Sequence, residues 1–214
     1  MITASGIMKS YGGKTVLDGV DFAADGGESV AVIGRNGAGK STLLSILAGH
    51  IRPDAGSVDT GGRGAAFCPQ DNNLFEDLTV RDNILFWTRA RGSRRNAGEP
   101  DPAELLGVHA YEAEKVGRLS GGMKKSVAIV CALTNNSPIL ILDEPFAGLD
   151  IFCKGEMLDA LAKFRSLGKC IVYTAHGEDE LRALNSRVCL LSRGKLCEQD
   201  GAAPGPADML RRPG

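Results

Sequence analysis

The chain has 214 residues, with 25 Lys and Arg set against 26 Asp and Glu, so its formal charge is -1; that balance argues against a nucleic-acid backbone binder, which carries a basic excess. With 43% hydrophobic and 24% charged residues the composition is that of a folded chain with a real core, not a disordered one, and the length fits one domain of ~100–200 residues. The 28 glycines are close to twice the usual share of ~7%, more than turns alone require.

No apolar run reaches the ~20 residues that span a bilayer, and Met1 to Lys9 lacks the basic-then-apolar layout of a secretory signal. A cytosolic protein is expected. The six cysteines (Cys68, Cys131, Cys153, Cys170, Cys189 and Cys197) lie in apolar surroundings with no Cys-x-x-Cys pair, and they read as small buried hydrophobes.

In chain order, the first thirty residues alternate apolar and polar positions (Ile2, Ala4; Val16, Val20, Phe22) between turn signals at Gly12-Gly13 and Gly26-Gly27, which predicts short antiparallel strands. Ser29 to Ile33 is a compact apolar strand that runs into a glycine cluster. Lys40 to Gly49 then carries Leu43, Leu44, Ile46 and Leu47 at helical spacing. Arg52-Pro-Asp-Ala-Gly56 closes that helix, and Ala65 to Cys68 reads as a short strand ending at Pro69-Gln70. From Asp71 to Leu133 the character is helical, with an amphipathic stretch from Val80 to Arg91, a polar loop to Pro102 and an apolar helix from Gly121 to Leu133. Strand signals return at Ile139–Leu142, Cys170–Thr174 and Arg187–Leu191, separated by helix patterns at Ile151–Leu167 and Glu178–Leu184, an alternation that predicts a parallel sheet. Ser192-Arg-Gly-Lys195 reads as a hairpin turn. The expectation is one α/β domain over residues 1–200, with a helical subdomain inserted at about 71–133 and a flexible tail at 201–214.

Gly34-Arg-Asn-Gly-Ala-Gly39-Lys40-Ser41 fits G-x-x-x-x-G-K-[ST] between a predicted strand and a predicted helix, the context a phosphate-binding P-loop requires. Glycines without side chains let backbone N–H groups converge on a phosphate, and the helix N-terminus adds positive potential. Lys40 can reach the β and γ oxygens, and Ser41 can ligate Mg²⁺. The strand Ile139–Leu142 ends in Asp143-Glu144, where one acid can hold the metal and the other can orient the attacking water. Leu119-Ser-Gly-Gly precedes a helix, so Ser120 can cap it while Gly121 and Gly122 leave N–H groups open to a second anion.

In these motifs and their order, from Tyr11 to Lys195, the chain resembles the ATP-binding cassette of ABC transporters, a P-loop NTPase core with an N-terminal antiparallel β subdomain and a helical signature subdomain. The resemblance implies ATP and Mg²⁺ as ligands. It makes Gly34, Asn36, Gly37, Ala38, Gly39, Lys40, Ser41 and Thr42 the Walker A contacts, Tyr11 the ring that stacks on adenine, and Ser120, Gly121 and Gly122 the signature. Asp143 corresponds to the Walker B metal carboxylate and Glu144 to the catalytic base. Gln70 corresponds to the Q-loop glutamine that senses Mg²⁺ and the membrane partner, Asp150 to the D-loop and His176 to the switch histidine. Ser41, Gln70 and Asp143 are the implied metal contacts. Two cassettes, alike or different, would pair head to tail, each nucleotide held between one copy's P-loop and the other's signature.

Met123, followed by Lys124-Lys125, stands where importers often have Gln or Glu, and Ser126 and Cys131 stand where many relatives have Arg. Gly-Gly-Met-Lys and Leu78 to Trp87 are similar to the bacterial exporter-like branch. The implied function is an ATPase subunit, peripheral at the inner face of the cell membrane, that drives a separate transmembrane permease; no nucleic acid is expected as partner. A soluble ATPase of the same family acting on ribosomes or DNA stays as the alternative, and the transported substrate is not written in the chain. Trp87 reads as a packing residue of the helical arm.

Overall fold

The computed structural model describes residues 1–90 and 100–199; residues 91–99 of the polar loop expected from Arg91 to Pro102, and the expected tail at 201–214, lie outside them. Strand β1 (Ile2–Tyr11) and strand β2 (Lys14–Ala24) form an antiparallel hairpin around the Gly12-Gly13 turn. At 10 and 11 residues these strands are longer than the short ones expected. They stay continuous through register shifts at Ile7 and Val20, beside Gly6 (φ 60°) and Gly19 (φ 68°). Such bulges let a long twisted hairpin bend over a core.

Strand β3 (Ser29–Ile33) leads through the glycine loop into helix α1 (Lys40–Leu47). The chain then forms β4 (Ala55–Asp59), which pairs with β1. The Arg52–Gly56 segment therefore opens an edge strand as well as following the helix; β4 has no fully buried residue, so it carries little apolar alternation to read. Next come β5 (Ala66–Cys68), α2 (Val80–Ala90), α3 (Pro102–Leu105), two 3-10 turns at Val108–Tyr111 and Val116–Arg118, and α4 (Gly121–Leu133). The last part alternates: β6 (Ile139–Leu142), α5 (Ile151–Ser166), β7 (Cys170–Thr174), α6 (Glu178–Ala183), β8 (Arg187–Ser192) and β9 (Lys195–Glu198).

Two sheets result. One has the order β2-β1-β4; the other has the order β5-β6-β7-β3-β8-β9, parallel except for the β8–β9 hairpin. β7 lies between β6 and β3, so the Asp143 strand is one place removed from the P-loop strand and not beside it.

β3, β6 and β7 are buried along their whole length, as parallel strands covered on both faces must be. Their alternate residues divide between two cores. Val30, Val32, Ile139, Ile141 and Val172 pack with α1 and the inner face of the hairpin. Ala31, Ile33, Leu140, Leu142 and Tyr173 pack with α4 and α5. A third core (Val80, Val108, Val116, Val127, Val130, Cys131) holds the helical arm together.

α4 serves two of these cores. Ala128, Ile129, Ala132 and Leu133 face the sheet while Val127, Val130 and Cys131 face the arm. Of the departing positions, Cys131 is a buried member of the arm core and Met123 packs against the same core. Of the six cysteines, Cys68, Cys131, Cys170 and Cys189 are buried as expected, but Cys153 is half-buried and Cys197 is exposed. Cys197 stands on β9, the edge strand of its sheet among the described residues.

Candidate active site

The parallel strands deliver their C-terminal ends to one edge, and the sequence-predicted residues leave from those ends: Gly34 after β3, Gln70 after β5, Asp143 after β6 and His176 after β7. This is where open α/β sheets bind ligands.

The glycine loop is held open by tight backbone packing. A Cβ at Gly34 would lie 2.5 Å from the Leu191 carbonyl oxygen, and one at Gly39 would lie 2.7 Å from Val16 Cγ1. Gly39 also has φ 103°, a conformation that side chains resist. It stands at the N-cap of α1 with no side chain capping the helix and no acid in its first turn, so the helix N-terminus faces outward unneutralised. Anions favour such a terminus. Within the loop the Ala38 N–H donates to the Arg35 carbonyl at 3.0 Å, which shapes the turn. Asn36, Gly37 and Ser41 are exposed and Thr42 is half-buried.

Lys40 is buried, and its Nζ donates to the Gly34 carbonyl at 2.9 Å and to that of Arg35 at 3.3 Å. Burial lowers its pKa, and the charges of Glu144 and Asp143 work against that fall. The lysine therefore lies in the field of both acids.

Asp143 is buried, with Oδ1 accepting from the Thr174 hydroxyl at 3.1 Å. The same Thr174 oxygen accepts the Glu144 N–H at 2.6 Å. Glu144 has φ 48°, an uncommon conformation for a residue with a side chain. Such backbone strain persists only where neighbours impose it, and it clusters at functional sites.

The Glu144 carboxylate is the meeting point. Gln70 Nε2 donates to Oε2 at 3.0 Å, and His176 Nε2 lies 3.5 Å from Oε1. His176 is itself positioned through its backbone, whose N–H donates to Glu180 Oε2 at 3.1 Å, and Glu180 is anchored by Lys154 at 2.7 Å. The structure thus brings Lys40, Gln70, Asp143, Glu144 and His176 together. Thr174, Glu180 and Lys125 are the residues sequence reasoning missed as parts of the site; a threonine closing an apolar strand two positions before a histidine was the only signal for the first.

Three sequence-predicted elements stand apart. Ser120 caps α4, accepting the Met123 N–H at 3.2 Å, with Ser120 and Gly121 exposed; among the described residues no hydrogen bond or ion pair joins residues 120–122 to the P-loop. Asp150 caps α5, with Oδ1 accepting the N–H groups of Phe152 and Cys153 at 2.9 Å each. Hydrogen bonds from the Cys153 amide and thiol, joined by the Phe152 amide, hold its carboxyl below the usual range. Tyr11 is 48% exposed at the end of β1, and Lys9 Nζ lies 5.4 Å from its ring centroid.

No group of three or more His, Cys, Asp or Glu among the described residues forms a metal cage. Mg²⁺ does not require such a cage, since it is held by one or two carboxylates together with phosphate oxygens and water. The Asp143 carboxylate, the Ser41 hydroxyl and the Gln70 side-chain carbonyl are hard oxygens of the kind this ion prefers.

A family model described as ABC transporter matches residues 17–147. The chain is 31% identical over 210 residues to the linearmycin resistance ATP-binding protein LnrL of Bacillus subtilis (strain 168), covering 92% of this chain and 68% of that protein. It is 34% identical over 211 residues to the Nod factor export ATP-binding protein I of Mesorhizobium japonicum, covering 92% of this chain and 62% of that protein. The chain therefore spans about two thirds of the length of these relatives. A solved ATP-binding subunit of an ABC transporter superposes with a TM-score of 0.80 at 27% identity, over 93% of this chain and 89% of that one. A cassette solved as a dimer in a post-hydrolysis state with ADP and phosphate gives a TM-score of 0.80 at 27% identity, over 93% of this chain and 98% of that one.

Proposed function

The chain belongs to the ABC transporter family, and on that footing we propose that it is the ATP-binding, ATP-hydrolysing subunit of a transporter, energising a separate permease of exporter type. The observation that carries the reading is the convergence of Gln70 and His176 on the Glu144 carboxylate, beside a buried lysine that feels both Glu144 and Asp143.

In this reading the loop amides and the α1 N-terminus take the phosphates, and the Lys40 ammonium leaves its two loop carbonyls for the β and γ oxygens. Ser41, Asp143 and Gln70 would hold Mg²⁺, which when bound neutralises charge on the phosphates. Glu144 accepts a proton from the attacking water, and Thr174 fixes the backbone from which that carboxylate projects. Gln70 and His176 orient the carboxylate and, with nucleotide present, reach the γ-phosphate side of the water. Tyr11 stacks on adenine with the ring face that Lys9 leaves free.

The second half of each site comes from another cassette, whose Ser120, Gly121 and Gly122 sit at the exposed N-terminus of a 13-residue helix. The N-terminal sheet, the parallel core and the arm at about 71–133 work as one domain.

No helix among the described residues is long and apolar enough to cross a membrane; in this reading the membrane passage is supplied by the permease. The permease contact is centred on Gln70 and the arm from Asp77 to Arg89. There Leu78, Leu85 and Phe86 are each about two-fifths exposed, and Phe75, Phe86 and Trp87 pack edge to face and stacked. The protein then works at the cytoplasmic face of the membrane. Export fits the name of the Nod factor export relative.

Purification from detergent-solubilised membranes tests the proposal: a partner with several apolar segments of ~20 residues should stay bound, and Phe86→Asp should release it while ATP binding persists. Sedimentation with ribosomes and no membrane partner would favour the remodelling alternative.

A further inference from the structure

Lys125 is 4% exposed, on the second turn of α4, and among the described residues no carboxylate lies within ion-pairing distance of it. Its Nζ donates instead to two backbone carbonyls, those of Gln70 at 3.1 Å and Pro69 at 3.4 Å. A buried charge without a counter-ion is costly, and an apolar residue of the same size would serve the helix better. The lysine's contacts therefore point to a task beyond packing.

The two carbonyls mark a junction in the chain. Cys68 is the last residue of β5, tied to the sheet where its carbonyl accepts the Asp143 N–H at 2.9 Å, and the helical arm begins just beyond Gln70. One step away, the Gln70 side chain reaches Glu144. At its other end α4 carries the Ser120 cap and the exposed Gly121. A continuous path thus runs from Ser120 along one and a half turns of helix to Lys125, across to the Gln70 carbonyl, and through the Gln70 side chain to the Glu144 carboxylate.

We propose that Lys125 is a positioning residue that locks the Gln70 backbone to α4, so that movement of the signature end of this helix is delivered to Glu144 through Gln70. The inference rests on the ATPase reading above for its kinetic consequence, but its structural content does not. If α4 shifts against the sheet, the Lys125 bonds carry the Gln70 backbone along, and the amide on Glu144 moves with it. Engagement of Ser120 by a ligand would then be felt at the general base of the same chain.

The test uses the full chain, Lys125→Met, Lys125→Arg, Gln70→Ala and the double variant Lys125→Met/Gln70→Ala, with two readouts. The first needs no activity: the side-chain amide resonances of Gln70, assigned by their loss in Gln70→Ala, should move in Lys125→Met to the positions found in Glu144→Ala. The second is steady-state ATP turnover with nucleotide affinity measured alongside. Lys125→Met should lower kcat by about tenfold with affinity changed less than about twofold and the melting temperature not reduced, and in the Gln70→Ala background it should add less than about twofold. Lys125→Arg, which keeps the donor, should recover most of the rate. Unmoved Gln70 resonances, or losses that multiply in the double variant, would overturn the proposal. A wild-type chain that does not turn over ATP while the resonances shift as expected would count against the ATPase reading alone.

Discussion

The hydroxyl of Thr174 accepts the Glu144 N–H at 2.6 Å and donates to Asp143 Oδ1 at 3.1 Å, so one side chain at the end of β7 fixes both acids that close β6. Glu144 stands at φ 48°, and its backbone amide is satisfied by this side chain from the neighbouring strand. Thr174→Val keeps the shape and removes both bonds. It should cost about 1–3 kcal/mol of stability, as loss of a partner to a buried polar group does, and should reduce turnover more than it weakens ATP binding. Thr174→Ser should restore both. Thermal unfolding alongside phosphate release measures the two effects.

Gly39 tolerates no side chain. An added Cβ would lie 2.7 Å from Val16 Cγ1 and 3.3 Å from the Val16 carbonyl oxygen, at φ 103°. Gly39→Ala is expected to lose about 1–3 kcal/mol in denaturant unfolding and to tilt the first turn of α1 away from the phosphates. Nucleotide affinity should fall in the same variant.

Lys40→Ala removes the ammonium that bridges the loop carbonyls of Gly34 and Arg35. Calorimetric titration with Mg-ATP should show binding abolished or nearly so. The fold should persist, because the loop's shape also rests on the Ala38 to Arg35 bond and on the packing of Gly34 and Gly39.

The helical arm carries a pH-dependent brace. His109 lies 3.1 Å from Asp101 and 3.4 Å from Glu112, and these carboxylates, Asp101 first, raise its pKa above the ordinary 6.5. A raised folded pKa means the stabilisation is fully present below the ordinary value and is lost as pH rises through the folded one. The effect is small because the imidazole is about half exposed to solvent. The melting temperature of the wild type should exceed that of His109→Gln on the acid side and converge with it on the alkaline side. A gap that widened with pH would contradict the assignment.

Much of the site was legible because its signals are local: the glycine loop between strand and helix, the paired acids after Leu142, and the serine that caps α4. The parallel sheet followed from strand and helix alternation. What escaped reading depends on residues far apart in sequence. Thr174 acts on Glu144 across 30 positions and Lys125 on Gln70 across 55, and nothing local distinguishes a threonine that ends a strand or a lysine in an apolar helix. β4 escaped because its residues are exposed or half-buried and lack a buried alternation. The placement of β7 between β6 and β3 is a matter of strand order, which periodicity does not carry.

Glu144→Gln bears most directly on the chemistry assigned to the site, since it keeps the side chain's size and its contact with Gln70 while removing the charge that polarises water. Phosphate release from Mg-ATP should be compared between this variant and the wild type, with bound nucleotide quantified in the same samples. The expected result is a fall in turnover on the order of 10² or more with ATP binding retained. Turnover at the wild-type rate in Glu144→Gln would contradict the assignment of Glu144 as the general base.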